Sequence, residues 1–395
     1  MEGNPVYPEV TPEELLSATP GAPEVNDRPW LVRWDRVKDP AALVDRLLPD
    51  TVEFHTSGTT GPGRPWRRTR EQLWSEAGLL AGLLAPERPE AVLSFAPARH
   101  VYGALATLLV PARLGLPVWY RPHYFGPMPE RPGTRWAVVA VPWSFSVLCR
   151  KAAWSRAAER LTLLHSTALL PATVTDFLDS AGADRVSVTE VFGSTETGGV
   201  AWRTWDRGEP AWHLFDDVVF ADQGQDQGQD QGQDQGREQE PADGVDRDSL
   251  LRIRSPRLAA EPGGEPLTVW QTDDYVRRAG PRRFRFSGRR GRLVKINGRR
   301  VNLDHLEDAL RAVVDCADLV CLPVTDGLSG EQLDLLVVPV PGGRLESGAV
   351  RALIAGSTVG VRPRRVHVVE RIDRSDTGKL RRVQSPFPTD AGAVT

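Results

Sequence analysis

Apolar residues recur along the first half of this chain at two kinds of spacing. Between Arg70 and Leu84 they fall every three or four positions, at Leu73, Ala77 and Leu80, which predicts an amphipathic helix. Short apolar runs stand between such helical stretches and predict strands. The other predicted elements are helices at 40–48, 103–114, 147–160 and 171–181, and strands at 51–54, 91–95, 116–120, 136–141, 161–165 and 186–191. Strands that alternate with helices predict an α/β domain built on a mainly parallel sheet.

The pattern changes after residue 250. Short strand-like runs at 250–276 lead into a strongly basic stretch, residues 277–300, which holds ten arginines and Lys295. Helices are then predicted at 303–314 and 345–355, and strands at 319–324, 333–340 and 365–369. About 100 residues is an ordinary domain size, so these elements predict a second, smaller α+β domain.

These patterns divide the chain into predicted segments. Residues 29–288 are predicted to form the large N-terminal α/β domain, and residues 289–385 a small C-terminal α+β domain. The family resemblance described below implies that this second domain is mobile and joined to the first by a hinge. Residues 222–236 repeat the tetrapeptide DQGQ, and the polar run continues to residue 248. Because such a segment has too few apolar residues to order itself, 222–248 is predicted to be a disordered insertion. Residues 1–28 and 386–395 are predicted to be a disordered lead and tail.

Composition excludes several kinds of protein and site. The net charge of −3 gives no support for a nucleic-acid partner, and three cysteines, Cys149, Cys316 and Cys321, cannot build a disulfide framework or a zinc ligand set. Residues 1–28 contain no apolar signal-peptide core, and no run reaches the roughly 18 apolar residues that a membrane span needs. We therefore expect a cytoplasmic protein with no membrane partner.

The loop from Thr56 to Arg64, TSGTTGPGR, is the first candidate for chemistry. Three glycines and four hydroxyl residues occupy its first eight positions. Glycine lets successive backbone N–H groups form a concave nest for phosphate, and Arg64 adds a fixed fork of donors. The alternative interpretation is a plain turn between two elements.

Three further stretches carry polar groups suited to a phosphorylated ligand. A predicted strand ends in Phe192, and Gly193, Ser194, Thr195 and Glu196 follow it. Strand ends in open α/β sheets are where ligands bind, and a glutamate there suits Mg²⁺. An ordinary strand-to-loop turn is the alternative. The other two stretches are 271–274 with 288–300, where an aspartate can accept both ribose hydroxyls, and 376–382, where a lysine on a glycine-flanked loop can reach a developing phosphate charge.

In this order the four motifs resemble the adenylate-forming (AMP-binding) superfamily, which includes acyl- and aryl-CoA synthetases, adenylation domains of nonribosomal peptide synthetases and luciferases. The resemblance covers roughly residues 50–385. The segments GSTETGG, SPRL and SGRRGRLVKINGRRV are most similar to those of short AMP-ligases of aryl polyene and related acyl-activating pathways.

The resemblance implies a role for each motif residue. Lys379 would bridge the acid, the ribose and the α-phosphate, Thr195 would contact the α-phosphate, and Glu196 would hold Mg²⁺. Phe192 would stack on adenine, and Asp274 would bind the ribose with help from Arg289. The phosphate loop would comprise Thr56, Ser57, Gly58, Thr59, Thr60 and Gly61 with Arg64, and the remaining nucleotide contacts would be Thr167, Ala168, Gly193 and Ser194. His100 would lie beside the acyl pocket, Lys295 and Gly298 near the thiol, and Gly291 at the hinge.

The chain also departs from the family pattern. Arg64 stands where lysine is usual, although this chain, with only four lysines, places two at motif positions 295 and 379. Asp273 stands beside Asp274 where glycine is usual, and Gly291 replaces the usual aspartate or lysine at the hinge. Fifty-five residues precede the loop, about a hundred fewer than in full-size relatives, which implies a reduced outer N-terminal subdomain.

The implied reaction is ATP-dependent activation of a carboxylic acid as an acyl-adenylate, with release of pyrophosphate, followed by transfer to a thiol. The cofactors would be ATP and Mg²⁺, with CoA or the phosphopantetheine of an acyl carrier protein as acceptor. Alternatives are amine ligation, activation of nitrite, or an inactive nucleotide-binding homologue. The basic stretch 277–300 has three interpretations: a solvated face, a docking surface for CoA phosphates or an acidic carrier protein, or, least favoured, a nucleic-acid contact.

Overall fold

A computed structural model describes residues 6–56, 64–130, 134–167, 170–171, 173–208, 210–221, 248–290, 292–296, 299–326, 330–357, 362–374 and 380. At 293, 295–296, 299–300, 325–326 and 330–331 the description covers the backbone alone. None of the helices in these ranges combines the length and hydrophobicity needed to cross a bilayer.

The order of elements follows the predicted alternation closely. The helices are α1 Pro12–Ser17, α2 Pro23–Asn26, α3 Pro40–Leu47, α4 Arg70–Leu84, α5 Val101–Gly103, α6 Val110–Leu114, α7 Pro142–Arg150, α8 Ala152–Ala157, α9 Thr173–Ala181, α10 Leu303–Arg311 and α11 Ser347–Gly356, with a π-helical segment Ala104–Leu109 joining α5 to α6. The strands of the first half are β1 Trp30–Arg33, β2 Thr51–His55, β3 Pro65–Thr69, β4 Ala91–Ser94, β5 Pro117–Tyr120, β6 Arg135–Ala140, β7 Arg160–His165, β8 Val186–Ser194, β9 Gly198–Thr204, β10 Trp212–Leu214 and β11 Val219–Phe220. The later strands are β12 Ser249–Arg254, β13 Trp270–Gly280, β14 Arg283–Arg289, β15 Leu293–Ile296, β16 Arg299–Asn302, β17 Asp318–Asp326, β18 Gly330–Val338 and β19 Arg365–Val368.

The large sheet is mixed rather than mainly parallel. Its order is β1-β5-β4-β6-β7-β8-β9-β10-β14-β13-β12-β11. The five strands β5, β4, β6, β7 and β8 run parallel, whereas β1 joins β5, and β9 joins β8, antiparallel. The prediction therefore holds for the centre of the sheet. It fails beyond β8 because that strand turns back through a tight hairpin instead of crossing over through a helix.

A separate two-stranded sheet flanks the predicted phosphate loop. β2 and β3 pair antiparallel, from Thr51 opposite Thr69 to His55 opposite Pro65. The sequence analysis did not predict β3, because its run of Trp66, Arg67 and Arg68 lacks a convincing apolar pattern. Trp66 and Arg68 nevertheless both point inward, at 2% and 0% exposure.

Helix α4 shows how the local sequence fixes an element. Thr69 caps its N-terminus and forms a reciprocal capping box with Gln72. Leu73, Ala77 and Leu80 are buried along one face, as the spacing predicts. That face also carries the buried Glu76.

The prediction of a disordered lead does not hold for residues 6–28. Thr11 and Glu14 form a capping box at the start of α1, and Leu15 and Leu16 are both 2% exposed. The Asn26 side chain donates to the carbonyls of Pro20 and Ala22. Capping and paired apolar residues thus order a segment whose overall composition is polar and proline-rich.

The chain forms two compact units. Of the described residues, unit 2 takes 248–251, 272–277 and those from 286 onward, and unit 1 takes the rest. Unit 2 contains the predicted α+β elements: β17, β18 and β19 form a sheet on which α10 and α11 pack. Leu310, Cys321, Leu335, Val350 and Ile354 lie in its core. The predicted boundary at 288/289 and the mobility of the second domain remain predictions.

Candidate active site

Thr56 and Arg64 close the base of the predicted phosphate loop. The Thr56 N–H donates to the Arg64 carbonyl at 3.0 Å, and the Arg64 N–H donates to the Thr56 hydroxyl at 3.0 Å. These bonds extend the β2–β3 hairpin by one position. The Arg64 side chain is exposed.

The end of β7 carries a strained residue next to a buried histidine. Thr167 has a φ of +83°, a region that β-branched residues rarely adopt. The Ser166 hydroxyl donates to the Val191 carbonyl at 2.8 Å, which ties this turn to β8. Strain of this kind concentrates at functional sites, so the geometry of Thr167 supports its place among the candidate site residues.

Strand β8 ends in an aromatic residue held by two others. The Phe192 ring lies 5.4 Å from Trp212 and 5.5 Å from Phe284 in edge-on contacts. The register shifts between Phe192 and Gly193, and a methyl group at Gly193 would overlap with the Gly198 carbonyl. Glycine at 193 therefore lets the two strands approach closely at this point.

Thr195 and Glu196 occupy the tip of the β8–β9 hairpin. Ser194 pairs with Gly198 across the turn, and the Thr197 hydroxyl accepts from the Ser194 N–H at 3.0 Å. Gly198 has a φ of +66°, which the turn requires and glycine adopts readily. The Glu196 carboxylate makes no hydrogen bond or ion pair with any residue in the described ranges. The hydrogen bonds within the hairpin therefore fix the turn, while the Glu196 carboxylate takes no part in them among the described residues.

A buried charge cluster lies directly beneath this hairpin. Glu76, 2% exposed, accepts from the Gly199 N–H at 2.6 Å and from Arg68 Nη2 at 2.7 Å. Arg257 lies 3.2 Å from the same Glu76 carboxylate and donates twice to Asp217, at 2.6 and 2.8 Å. Burial opposes ionisation of Glu76, but the two guanidinium groups outweigh it and hold its pKa below the usual range.

The segment 255–260, which begins with the SPRL run, connects the two candidate loops. The Ala260 and Arg67 backbones exchange hydrogen bonds of 2.8 and 2.9 Å, which joins the segment to β3. The Ala259 N–H donates to the Glu196 carbonyl at 2.8 Å, which joins it to the hairpin tip. Gln72 donates to the carbonyls of Pro256 and Leu258. One short segment therefore fixes β3 and the Glu196 turn to the same support.

His100 stands at the start of α5, after β4. Its carbonyl accepts from the Ala104 N–H at 2.8 Å. In the same helix the Tyr102 hydroxyl donates to the Leu164 carbonyl at 2.6 Å, and burial raises the pKa of Tyr102. This buried bond connects the His100 turn to the end of β7, at the edge of the sheet where β8 also ends.

Unit 2 brings Asp274 and Arg289 together. Arg289 Nε donates to Asp274 Oδ1 at 2.9 Å, and Asp274 is 7% exposed. The Asp274 N–H donates to the Thr272 hydroxyl at 3.1 Å, and that hydroxyl donates to the Leu251 carbonyl. The neighbouring Asp273, which departs from the family pattern, has a 68% exposed side chain and is therefore not part of this pair.

Several predicted residues cannot be placed. Lys295 lies on β15 opposite Arg300, with only its backbone described. Lys379, the hinge residue Gly291, the repeat at 222–236 and the remaining residues of the phosphate loop lie outside the described residues. The complete set of site residues outside them is Ser57, Gly58, Thr59, Thr60, Gly61, Ala168, Gly291, Gly298 and Lys379.

The residues of the charge cluster are the ones that the sequence analysis missed. Glu76 does carry a signal: it stands between Leu73 and Leu80 on the apolar face of α4, where an acid needs a buried partner. Arg68 and Arg257 give no comparable signal in a chain so rich in arginine.

The described residues could hold Mg²⁺ only together with ligands that do not come from their side chains. No group of three or more His, Cys, Asp or Glu side chains in the described ranges could hold a metal ion. A single available carboxylate at Glu196 is nevertheless what Mg²⁺ needs when phosphate oxygens and water complete its shell. A separate cleft of about 470 Å³ between α4 and β10, lined by Gly78, Trp202 and His213 among others, contains none of the predicted site residues.

Comparison with known proteins agrees with the motifs. No protein-family model matches the chain. The chain is 31% identical over 179 residues to a 4-coumarate–CoA ligase of Cereibacter sphaeroides, covering 43% of this chain and 41% of that protein. It is 27% identical over 265 residues to a 4-coumarate–CoA ligase of Rhodobacter capsulatus, covering 66% and 57%. The chain thus spans about half the length of the curated relatives it matches.

Solved structures show the same likeness at the level of the fold. ATP-bound MatB from Rhodopseudomonas palustris superposes with a TM-score of 0.61 at 18% identity, covering 84% of this chain and 66% of that one. The O-succinylbenzoate CoA synthetase MenE from Bacillus subtilis, in complex with AMP, gives 0.61 at 16% identity, covering 85% and 69%. The predicted resemblance is confirmed at the level of the fold: this chain has the α/β fold of MatB and of the CoA synthetase MenE.

Proposed function

We propose that this chain is an ATP-dependent, AMP-forming acid–thiol ligase. A carboxylate oxygen of the acid attacks the α-phosphorus of ATP, pyrophosphate leaves, and an acyl-adenylate forms. A thiolate then attacks the acyl carbon, AMP leaves, and a thioester forms. The observation that carries this proposal is the β8–β9 hairpin, whose tip holds Thr195 and a Glu196 carboxylate that has no hydrogen-bond or ion-pair partner among the described residues. Its strand β8 pairs with β7, which leads into the strained turn at Thr167.

The site residues would act by positioning and charge stabilisation. The Thr195 hydroxyl would donate to the α-phosphate, and Arg64 with the loop N–H groups would hold the outer phosphates. Mg²⁺ on Glu196 would offset the charge of the departing pyrophosphate. The Asp274–Arg289 pair would hold the ribose hydroxyls, because a carboxylate whose one oxygen is fixed by Arg289 keeps acceptor capacity for them. Lys379 would offset the negative charge that develops during the attack.

The acid and the acceptor are narrower proposals. The two relatives are named for 4-coumarate, so an aromatic acid comes first among the candidates. CoA, or the phosphopantetheine of an acyl carrier protein, would supply the thiol, with the basic residues at 277–300 as the contact for its phosphates or for an acidic carrier protein. We place the enzyme in the cytoplasm, where its three free cysteines would stay reduced. Burial raises the pKa of all three thiols.

ATP–pyrophosphate exchange tests the first half of the reaction. A panel of 4-coumaric, cinnamic, benzoic and fatty acids and nitrite should give exchange with at least one member. Glu196→Gln should lower the exchange rate by about 100-fold or more, the usual effect of losing a preorganised charge contact. The exposed Glu265→Gln is the matched control and should keep the wild-type rate. Silence with every acid despite ATP binding would contradict the proposal.

The second half-reaction tests the role of Lys379 separately from the roles of the other site residues. Lys379→Ala should abolish adenylation but still convert a supplied acyl-adenylate into the thioester, since its proposed charge role ends with the first step. Offering CoA, a phosphopantetheinylated carrier protein and an amine to the supplied adenylate identifies the acceptor. Equal loss of both half-reactions would remove Lys379 from its proposed role.

A further inference from the structure

The tip of the hairpin that carries Thr195 and Glu196 contacts two other parts of unit 1, beyond the strand pairing of β8 with β7 and of β9 with β10. Ser194 and Thr197 bond to each other within the tip, the Gly199 N–H donates to Glu76, and the Glu196 carbonyl accepts from the Ala259 N–H. The Glu76 contact is a 2.6 Å hydrogen bond from the Gly199 N–H to a fully buried, ionised carboxylate. Charge-assisted bonds of this kind are roughly twice as strong as neutral ones.

The same carboxylate contacts both arginines of the cluster. Arg68 belongs to β3, four residues after Arg64 of the predicted phosphate loop, and is 0% exposed. Arg257 belongs to the segment 255–260 and is 1% exposed in its side chain. Glu76 is therefore the shared partner of the phosphate-loop hairpin, the connecting segment and the β8–β9 hairpin.

The fit around Glu76 leaves little freedom. A methyl group at Gly198 would overlap with the Glu76 carboxylate and lie 2.8 Å from Arg68 Nη1. A methyl group at Gly199 would lie 3.3 Å from Glu76 Oε1 and 3.0 Å from the Phe215 ring. Both glycines let the hairpin backbone rest directly on the charged groups. Removing the charge of Glu76 would deprive the buried Arg68 of the carboxylate that it pairs with, and would leave Arg257 with Asp217 as its described carboxylate partner. Leaving a buried charge without its partner is strongly unfavourable.

We propose that Glu76 is a positioning residue for the adenylation site. It fixes the position of the Thr195–Glu196 turn relative to β3, the strand that follows the predicted phosphate loop. This inference rests on the proposed function. Glu76 acts through its hydrogen bonds with the Gly199 N–H and Arg68. Residues that orient a site from behind typically cost 10- to 100-fold in activity or metal affinity when they are changed.

The first experiment needs no activity. Hydrogen–deuterium exchange compares the free wild type with Glu76→Gln and with Glu71→Gln, an exposed glutamate on the same helix. Peptides covering 194–199 should exchange at least tenfold faster in Glu76→Gln, whereas peptides within 186–190 should be unchanged. Glu71→Gln should match the wild type in both. Unchanged protection of 194–199 in Glu76→Gln would overturn the inference, whatever the enzyme catalyses.

The second experiment separates positioning from general stability. A double-mutant cycle combines Glu76→Gln with Glu196→Gln in pyrophosphate exchange, at a temperature where circular dichroism shows every variant folded. Glu76→Gln alone should lower kcat by about 10- to 100-fold. If it acts only through the turn, the double variant should lie within about threefold of Glu196→Gln alone, because residues that act as a unit are non-additive. Multiplicative losses would overturn the inference.

Two further outcomes are also decisive. If Glu76→Gln does not fold, Glu76→Asp replaces it in both experiments, since it keeps the charge but shortens the reach to Gly199 by one methylene group. A wild type inactive with every acid, together with faster exchange at 194–199, would overturn the proposed function but leave Glu76 as the anchor of the hairpin.

Discussion

His165 offers the sharpest test of how the centre of the large sheet is built. Its side chain is fully buried at the end of β7, with its ring 5.6 Å from that of Phe145. Neither ring nitrogen has a hydrogen-bond partner in the described part of the chain. Burial, with a smaller contribution from Arg203, lowers the pKa of His165 from 6.5 to about 3. The folded protein therefore keeps this ring neutral at pH values where a histidine in the unfolded chain is already charged.

The depressed pKa makes stability depend on pH in a known direction. The unfolded chain protonates His165 below about pH 6.5, but the folded chain does so only near 3. Between these values the unfolded state binds more protons, so the free energy of unfolding falls as the pH falls. At pH 5 the loss is roughly 2 kcal/mol, because each pH unit below 6.5 contributes about 1.4 kcal/mol.

Urea unfolding followed by tryptophan fluorescence measures this loss. His165→Leu removes the titrating group at similar volume, and His305→Leu, on an exposed histidine of α10, serves as the control. Between pH 7.5 and 5.0 the wild type and the control should lose about 0.7 M more in urea midpoint than His165→Leu, taking a slope of about 3 kcal/mol/M. Equal losses in all three proteins would refute the reasoning, and so would an NMR signal of His165 that titrates near pH 6.

The other predictions concern backbone geometry and buried charge. Gly82→Ala, in α4 with open space around the added methyl group, should stabilise the protein by about 0.5–1 kcal/mol in urea unfolding. Gly198→Ala, at φ +66°, should instead destabilise it by about 2 kcal/mol or more. A Gly198→Ala variant more stable than Gly82→Ala would contradict both predictions. Thr167→Gly relieves a φ of +83° and should raise the unfolding free energy by about 0.5–1 kcal/mol; a clear loss would show that the Thr167 side chain contributes more than the strain costs. Arg292→Met leaves Glu307 without its 2.7 Å partner and should cost about 3 kcal/mol in the melting of unit 2. Burial already raises the pKa of Glu307, so that cost should shrink as the pH falls and the acid is neutralised; a cost independent of pH would indicate a packing effect instead.

The sequence predicted the elements well wherever one face of an element is apolar. Helix α4 begins and ends where the stripe from Leu73 to Leu84 requires, and the central strands follow their apolar runs. β3 was missed because it buries Arg68, whose presence inside depends on Glu76 in another element. The order in the residues 6–28 was missed for a similar reason, since it comes from capping and from a few buried leucines rather than from composition.

The candidate site divides in the same way. The turn at Thr195 and Glu196 and the pair Asp274–Arg289 follow from motifs, because each motif is local or is recognised by its order in the chain. The support beneath them does not, because it joins residues 68, 76, 217 and 257 from separate elements, and among these Glu76 alone carries a signal in the sequence, as an acid on the apolar face of α4. Strain at Thr167 was also invisible, since a φ value belongs to the folded backbone and not to the residue type.

Unit 2 is built from three separate stretches of the chain, and this limits how the protein can be divided into fragments. A C-terminal fragment that begins at residue 286 or later would lack 248–251 and 272–277, and with them Asp274, the partner of Arg289. A single proteolytic cut between the units therefore cannot release unit 2 intact. Exchange of this unit between related enzymes has to transplant all three stretches together, and a chimera joined at one position would inherit an arginine without the carboxylate that it pairs with.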